Sequence, residues 1–140
     1  MKYRMASTLL SLCGVLLAAY LYLYKTGRIG TLACGTGSCE AVQFSPYAQV
    51  FGVEVSLIGL LGYLVLVACS IGAVQAAPGQ RTAPVRALFV LSGLGVAFSL
   101  YLTGIELFVL HAICRWCVGS ALIITLIFLC ALLDRRRTAR

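Results

Sequence analysis

The run VSLIGLLGYLVLVACSIGAV at residues 55–74 decides the fold, because it offers twenty residues with no charge and no proline. At about 1.5 Å of rise per residue, a helix of that length crosses the ~30 Å hydrocarbon layer of a bilayer. Working outward, three comparable runs with few charges occupy residues 6–24, 85–110 and 113–133. A polar loop at residues 25–54 separates the first two spans, and the other connections are short. Antiparallel neighbours joined by short turns give an up-and-down bundle. The expected architecture is thus an all-α membrane protein, a four-transmembrane-helix bundle forming one domain over residues 1–140.

Composition agrees with this reading. Of 140 residues, 61% are hydrophobic and 11% charged, whereas an ordinary soluble domain runs nearer ~45–50% and ~25%. The first run follows Lys2 and Arg4 and looks like a signal peptide, but no small-x-small cleavage site follows it, so a retained anchor is expected. The LSLCG stretch ending at Gly14 is rejected as a lipidation site, since Leu12 stands before Cys13 where a small residue is required. Gly59 with Gly62, and Gly93 with Ala97, are small residues at near-helical spacing where spans could approach closely.

The net charge of +7 does not point to nucleic acid, because the eleven Lys and Arg sit at segment ends. Lys2, Arg4, Arg81, Arg86, Arg135, Arg136, Arg137 and Arg140 fall on one side, against Lys25, Arg28 and Arg115 on the other. The positive-inside rule then places both termini in the cytoplasm of a multi-pass protein of the inner membrane. Tyr20, Tyr22 and Tyr24 fall at the outer end of the first span, where an aromatic belt is expected.

Orientation sorts the seven cysteines. Cys34 and Cys39 lie in the outer loop, and Cys114 and Cys117 at the outer end of the fourth span, so four thiols share the extracytoplasmic face. Cys13, Cys69 and Cys130 lie within spans and read as small buried hydrophobes.

Cys114-Arg115-Trp116-Cys117 is a C-x-x-C at the start of a helix, a spacing that brings two sulfurs within disulfide reach. A helix N-terminus stabilises a thiolate placed there, and the Arg115 charge adds to it. Cys34 and Cys39 form a second close pair in a glycine-rich loop. Two outer dithiols, one of them mobile, suggest thiol–disulfide exchange, in which a thiolate attacks a disulfide through a mixed intermediate. A static disulfide, a structural loop crosslink and a zinc site completed by His111 are the alternatives, although Cys34 and Cys39 lack the usual ligand-pair spacing and no metal is expected. Electrons leaving such a dithiol need an acceptor. Lipid-soluble quinone is the candidate, because extracytoplasmic oxidation drains to quinone and no haem, flavin, nicotinamide or P-loop motif is present.

The chain resembles the vitamin K epoxide reductase homologues of bacteria and archaea. The resemblance runs through the loop pair, then Cys39-Glu40-Ala41-Val42-Gln43-Phe44-Ser45-Pro46-Tyr47-Ala48, Phe51-Gly52, Gly59 and the C-x-x-C at Cys114 and Cys117, and covers essentially the whole chain. It implies a relay. Cys34 and Cys39 would oxidise a thioredoxin-like (DsbA-like) partner, with Cys34 the point of attack; Cys39 would exchange with Cys114; and Cys117 would face a quinone of the ubiquinone or menaquinone (vitamin K) type. Ser45 matches a family serine associated with the quinone pocket or the placing of the loop.

The residues around Ser45 also have a local reading. Ser45, Pro46 and Gly52 have the pattern of an N-cap, an N1 proline and a C′ glycine around a short interfacial helix at residues 46–51, which would turn Phe44, Tyr47, Val50 and Phe51 towards lipid or bundle and cover the quinone site. The chain departs from the family in two places. Glu54 stands where many bacterial relatives have proline, and Ala121 stands where animal enzymes have a tyrosine four residues after the C-x-x-C. The second departure argues against quinone-epoxide reduction. Many bacterial members carry a fused thioredoxin-like domain, and with Arg140 ending the chain the partner is expected to be a separate protein.

Quinone reduction takes up two protons. Glu54 and Glu106, near the outer ends of the second and third spans, and His111 just beyond the third are the ionisable candidates, each with an interfacial or structural role as the alternative. Arg115 and Trp116 would flank the quinone, Trp116 otherwise serving as an interfacial anchor. The expected function is a membrane thiol oxidoreductase that passes electrons from a dithiol protein to quinone. The alternatives are a non-enzymatic binding or assembly protein and a quinone-epoxide reductase.

Overall fold

A computed structural model of the chain describes residues 2–25, 49–50, 52–110 and 115–139. Four long helices dominate it: α1 at Lys2–Lys25, α2 at Val55–Gln75, α3 at Thr82–Ile105 and α4 at Arg115–Ala139. All four have segments long and apolar enough to cross a membrane. A 3-10 turn at Pro78–Gln80 links α2 to α3, and α3 runs on into one wider π-helical turn at Glu106–Leu110. Two-residue strands, β1 at Gln49–Val50 and β2 at Val53–Glu54, precede α2.

The bundle is apolar outside as well as in. Ala18 of α1, Tyr63 and Leu66 of α2, Leu88 of α3 and Ile124, Ile127 and Ala131 of α4 form one buried cluster. Yet Leu16 is 72% exposed and Leu94 63%. That surface would be a liability in water, but in hydrocarbon it is the expected outer face, since lipid tails are as apolar as leucine. Hydrophobicity therefore does little to bind these helices to one another, and close contact of small residues has to. Ser7, Ser11, Ser70 and Ser92 are accordingly buried between helices. Three of these hydroxyls donate back to their own helix: Ser11 to the Ser7 carbonyl at 2.7 Å, Ser70 to Leu66 at 2.8 Å and Ser92 to Phe89 at 3.1 Å.

Both chain ends lie at one end of the bundle, and a buried ion pair joins them. Arg4 Nε donates to Asp134 Oδ2 at 2.9 Å, with the two side chains 8% and 4% exposed. Nearby, the Arg137 guanidinium lies 4.9 Å from the Tyr3 ring centre and that of Arg135 lies 4.7 Å from Phe89, both in cation–π range. Arg136 and Arg137 also stand in the last turn of α4, where positive charge opposes the helix dipole.

Two expectations need correction. The short helix expected over residues 46–51 does not form at Gln49–Val50, which pairs antiparallel with Val53–Glu54, Val50 opposite Val53 and Gln49 opposite Glu54; the rest of that segment lies outside the described residues. β-branched Val50 and Val53 favour extended backbone, and Gly52 sits at φ +79° in the turn between the strands. A glycine after an apolar run marks left-handed backbone, which closes a hairpin as readily as a helix. Secondly, Gly59 and Gly62 do not bring helices into contact: a Cβ at either would meet nothing within 4 Å. Gly93 behaves as expected, its missing Cβ leaving room for Phe128 of α4 at 3.2 Å.

Candidate functional site

The end of the bundle opposite the termini, where α1 and α3 finish and α2 and α4 begin, is here termed the distal end. Helix rise puts particular residues there. Ser56 is the second residue of α2, Cys117 and Ser120 fall in the first two turns of α4, and Ser99 and Thr103 in the last two turns of α3. All five line one cavity of about 460 Å³ among the four helices, within the ~300–1,000 Å³ of ordinary small-molecule sites. Its remaining walls are almost wholly hydrocarbon, from residues such as Leu21, Ile58, Phe98 and Ile124. The room at Gly59 and Gly62 is part of this space, which is why neither touches a neighbouring helix.

Tyr63 braces the wall. Its hydroxyl donates to the Ser120 carbonyl at 2.9 Å and shares a second hydrogen bond of 2.8 Å with Ser120 Oγ. Both bonds are satisfied at once when Ser120 Oγ–H donates to the tyrosine oxygen. Ser120 lies one turn below Cys117, so α2 holds α4 in place directly beneath the thiol. Ser56 also lines the cavity, but its Oγ is buried away from that space and has no hydrogen-bond partner among the described residues.

Of the residues singled out from the sequence, Cys117 lines the cavity. Its neighbour Trp116 is not on the cavity wall; its ring packs on Tyr20 of α1 with centroids 4.9 Å apart. Arg115 opens α4, Glu54 ends β2 opposite Gln49, and Glu106 begins the π-helical turn. Cys34, Cys39, Ser45, Phe51, His111 and Cys114 lie outside the described residues. Cys13, Cys69 and Cys130 form no disulfide; Cys13 is exposed on the surface of α1, and the other two are half-buried.

The sequence reading missed Ser56, Tyr63, Ser99, Thr103 and Ser120. Their signal was hydroxyl groups inside otherwise hydrocarbon spans, clustered towards the ends that share Cys117. No group of three or more His, Cys, Asp or Glu poised for a metal occurs among the described residues.

Four membrane-length helices around an apolar cavity with a cysteine on its wall make a multi-pass protein in which a lipid-soluble molecule could lie beside a thiol. Comparison with known families narrows that class: the model of the vitamin K epoxide reductase family matches residues 5–132, which span all four helices. The chain belongs to that family. Membership makes it a membrane quinone-linked thiol oxidoreductase, of a kind that generally works with a redox partner and a quinone.

Proposed function

We propose that the protein oxidises a separate thioredoxin-like dithiol protein outside the cytoplasm and delivers the electrons, through Cys34/Cys39 and then Cys114/Cys117, to a quinone in the distal cavity. The observation that carries this reading is the position of Cys117 on the wall of that cavity, in the first turn of α4. The cavity fits such an acceptor: its walls suit a flat, mostly hydrocarbon ring, and the absent side chains of Gly59 and Gly62 leave space.

The relay follows the order that the family resemblance implies. A partner thiolate attacks Cys34 of the loop disulfide, and the second partner thiol resolves the mixed disulfide, leaving the partner oxidised and the loop pair reduced. Cys39 then attacks Cys114 of a Cys114–Cys117 disulfide and releases the Cys117 thiolate; Cys34 resolves the resulting bond and restores the loop disulfide. Two electrons and two protons now reside on Cys114 and Cys117. A bound quinone supplies the sink for both. Cys117 faces it, and Glu54, Glu106, His111 and Arg115 near the same end are the candidates for moving protons or holding charge.

Charge placement supports the orientation. Lys2, Arg4, Arg81, Arg86 and Arg135 to Arg137 all belong to the end that carries the termini, which puts that end in the cytoplasm and the distal end outside. Offered to a Cys39→Ala variant in its oxidised form, the thioredoxin-like partner should be captured on Cys34, whose thiolate opens the partner's disulfide, as a mixed disulfide recoverable from acid-quenched, non-reducing gels. Failure to trap any thioredoxin-like protein would count against the proposed route.

A further inference from the structure

We infer that Ser99 and Thr103 of α3 are the hydroxyls that hold a quinone oxygen beside Cys117, an inference that rests on the quinone-linked reading above. Both residues line the distal cavity. A serine or threonine in a membrane-spanning helix commonly turns its hydroxyl back to a carbonyl of the preceding turn, since hydrocarbon offers no other partner. Thr8, Ser11, Ser70 and Thr125 each donate to the carbonyl four residues back, and Ser92 to the one three back. The hydroxyls of Ser99 and Thr103 make no hydrogen bond among the described residues. Nor are they sealed in, as the unpaired oxygens of Ser7 and Ser56 are.

The helix period shows which space they open to. Val85, Leu88 and Ser92 are fully buried and mark the inward stripe of α3. Ser99 and Thr103 follow Ser92 by seven and eleven residues, two and three turns, and so continue that stripe. Leu94, Leu100 and Tyr101 are strongly exposed and take the opposite, lipid-facing side. Yet Ser99 and Thr103 are only half-buried. On one inward face, that gain in exposure falls where the helices part around the cavity.

Register sets their depth. Gly93 faces Phe128 of α4, and Gly95 faces Ile124. Followed at equal rise along these antiparallel helices, that pairing brings Thr103 level with residues 116–118 and Ser99 level with residues 120–122. Thr103 therefore stands at the height of Cys117, with Ser99 one turn deeper. Side chains one turn apart on a helix face have Cβ atoms about 5–6 Å apart, so the two hydroxyls can converge on one carbonyl oxygen, which has two lone pairs to receive them. A quinone carries such oxygens on an otherwise apolar ring, which matches the hydrocarbon walls. A hydroxyl also accepts, so the same pair holds the reduced carrier through its O–H.

The test measures binding and not turnover. Trp116 is the chain's single tryptophan and adjoins Cys117, so quenching of its fluorescence by a short-tailed benzoquinone reports occupancy in detergent-solubilised protein. Ser99→Ala and Thr103→Val are each expected to raise the dissociation constant about 3–10-fold, the usual effect of losing one neutral hydrogen bond, and Thr103→Ser to restore most of it. Hydrogen bonding weakens a C=O bond, so the carbonyl stretch of bound quinone in difference infrared spectra should move to higher wavenumber in the double variant. Thr125→Val removes an exposed hydroxyl that is not on the cavity wall and should change neither reading. Without quinone, the variants should melt as the parent does. Unchanged affinity in the double variant overturns the inference, as does an equal loss in Thr125→Val. A lowered melting temperature with an unmoved carbonyl band would make the pair structural and overturns it too. A parent protein that shows no saturable quenching overturns the quinone-linked reading as well, whereas tight binding by parent and double variant alike overturns this inference alone.

Discussion

The ring of Tyr63 packs against Gly14, so closely that a Cβ at position 14 would sit 2.3 Å from two ring carbons. Tyr63 is 5% exposed, and its hydroxyl is fixed to Ser120 on α4. One tyrosine of α2 thus touches α1 through a missing side chain and α4 through two hydrogen bonds, just below the cavity that holds Cys117. Because the hydroxyl is anchored, the ring cannot retreat from an added methyl group. Gly14→Ala should destabilise the bundle by about 1–3 kcal/mol, the range for overpacking a close-packed interior. Thermal unfolding in detergent measures this, and an unchanged midpoint would mean that the contact is looser than the geometry indicates.

Arg4 and Asp134 make a different prediction. Removing one partner of a buried pair leaves the other charge uncompensated, whereas replacing both with apolar residues can be nearly neutral. Asp134→Ala should cost about 3–5 kcal/mol, and the double variant Arg4→Met with Asp134→Leu should recover most of it. A double variant no more stable than Asp134→Ala would show that the charges contribute more than their mutual satisfaction.

Filling the cavity should separate binding from folding. Leucine at position 59 projects into open space and is a better helix former than glycine by roughly 0.5–1 kcal/mol. Gly59→Leu is expected to keep or raise the melting temperature while raising the KM for quinone about tenfold or more, as expected when about 1.4 kcal/mol or more of binding is lost. Exchange between the thiol partner and the loop cysteines, followed by alkylation gel shift, should continue. Retained quinone affinity would move the acceptor site elsewhere.

Cys13, Cys69 and Cys130 provide the control. None lies on the cavity wall or forms a disulfide; Cys69 and Cys130 fit a role as small, half-buried apolar side chains, whereas Cys13, expected to be buried, faces outward from α1. Replacing all three with alanine should leave quinone reduction within about twofold of the parent, since such sites contribute packing and not chemistry. A dead triple variant would bring one of them into the relay.

The sequence carries the spans because crossing a bilayer demands length and apolarity together, and residues 55–74 meet both without exception. It carries the family because the cysteine spacings and the segment from Cys39 to Ala48 lie along the chain and need no tertiary contact. What it hides is which side of each helix faces inward. In a soluble helix polar residues mark the outer face, but lipid removes that contrast, so Gly59 and Gly62 read as helix contacts when they bound the cavity. Ser56 and Tyr63 were hidden for the same reason. The hairpin at Gln49–Glu54 was missed on other grounds: Ser45, Pro46 and Gly52 fit a capped helix, and two valines across a turn outweigh that pattern.

The central claim is that Cys117 passes electrons to a quinone in the distal cavity, and one measurement meets it directly. Purified protein supplied with a reduced thioredoxin-like protein and a short-tailed quinone is followed at the quinone absorbance band, parent against Cys117→Ala. The expected result is turnover by the parent and none by the variant, with the variant still binding quinone as judged by Trp116 fluorescence. Equal rates from both would contradict the account.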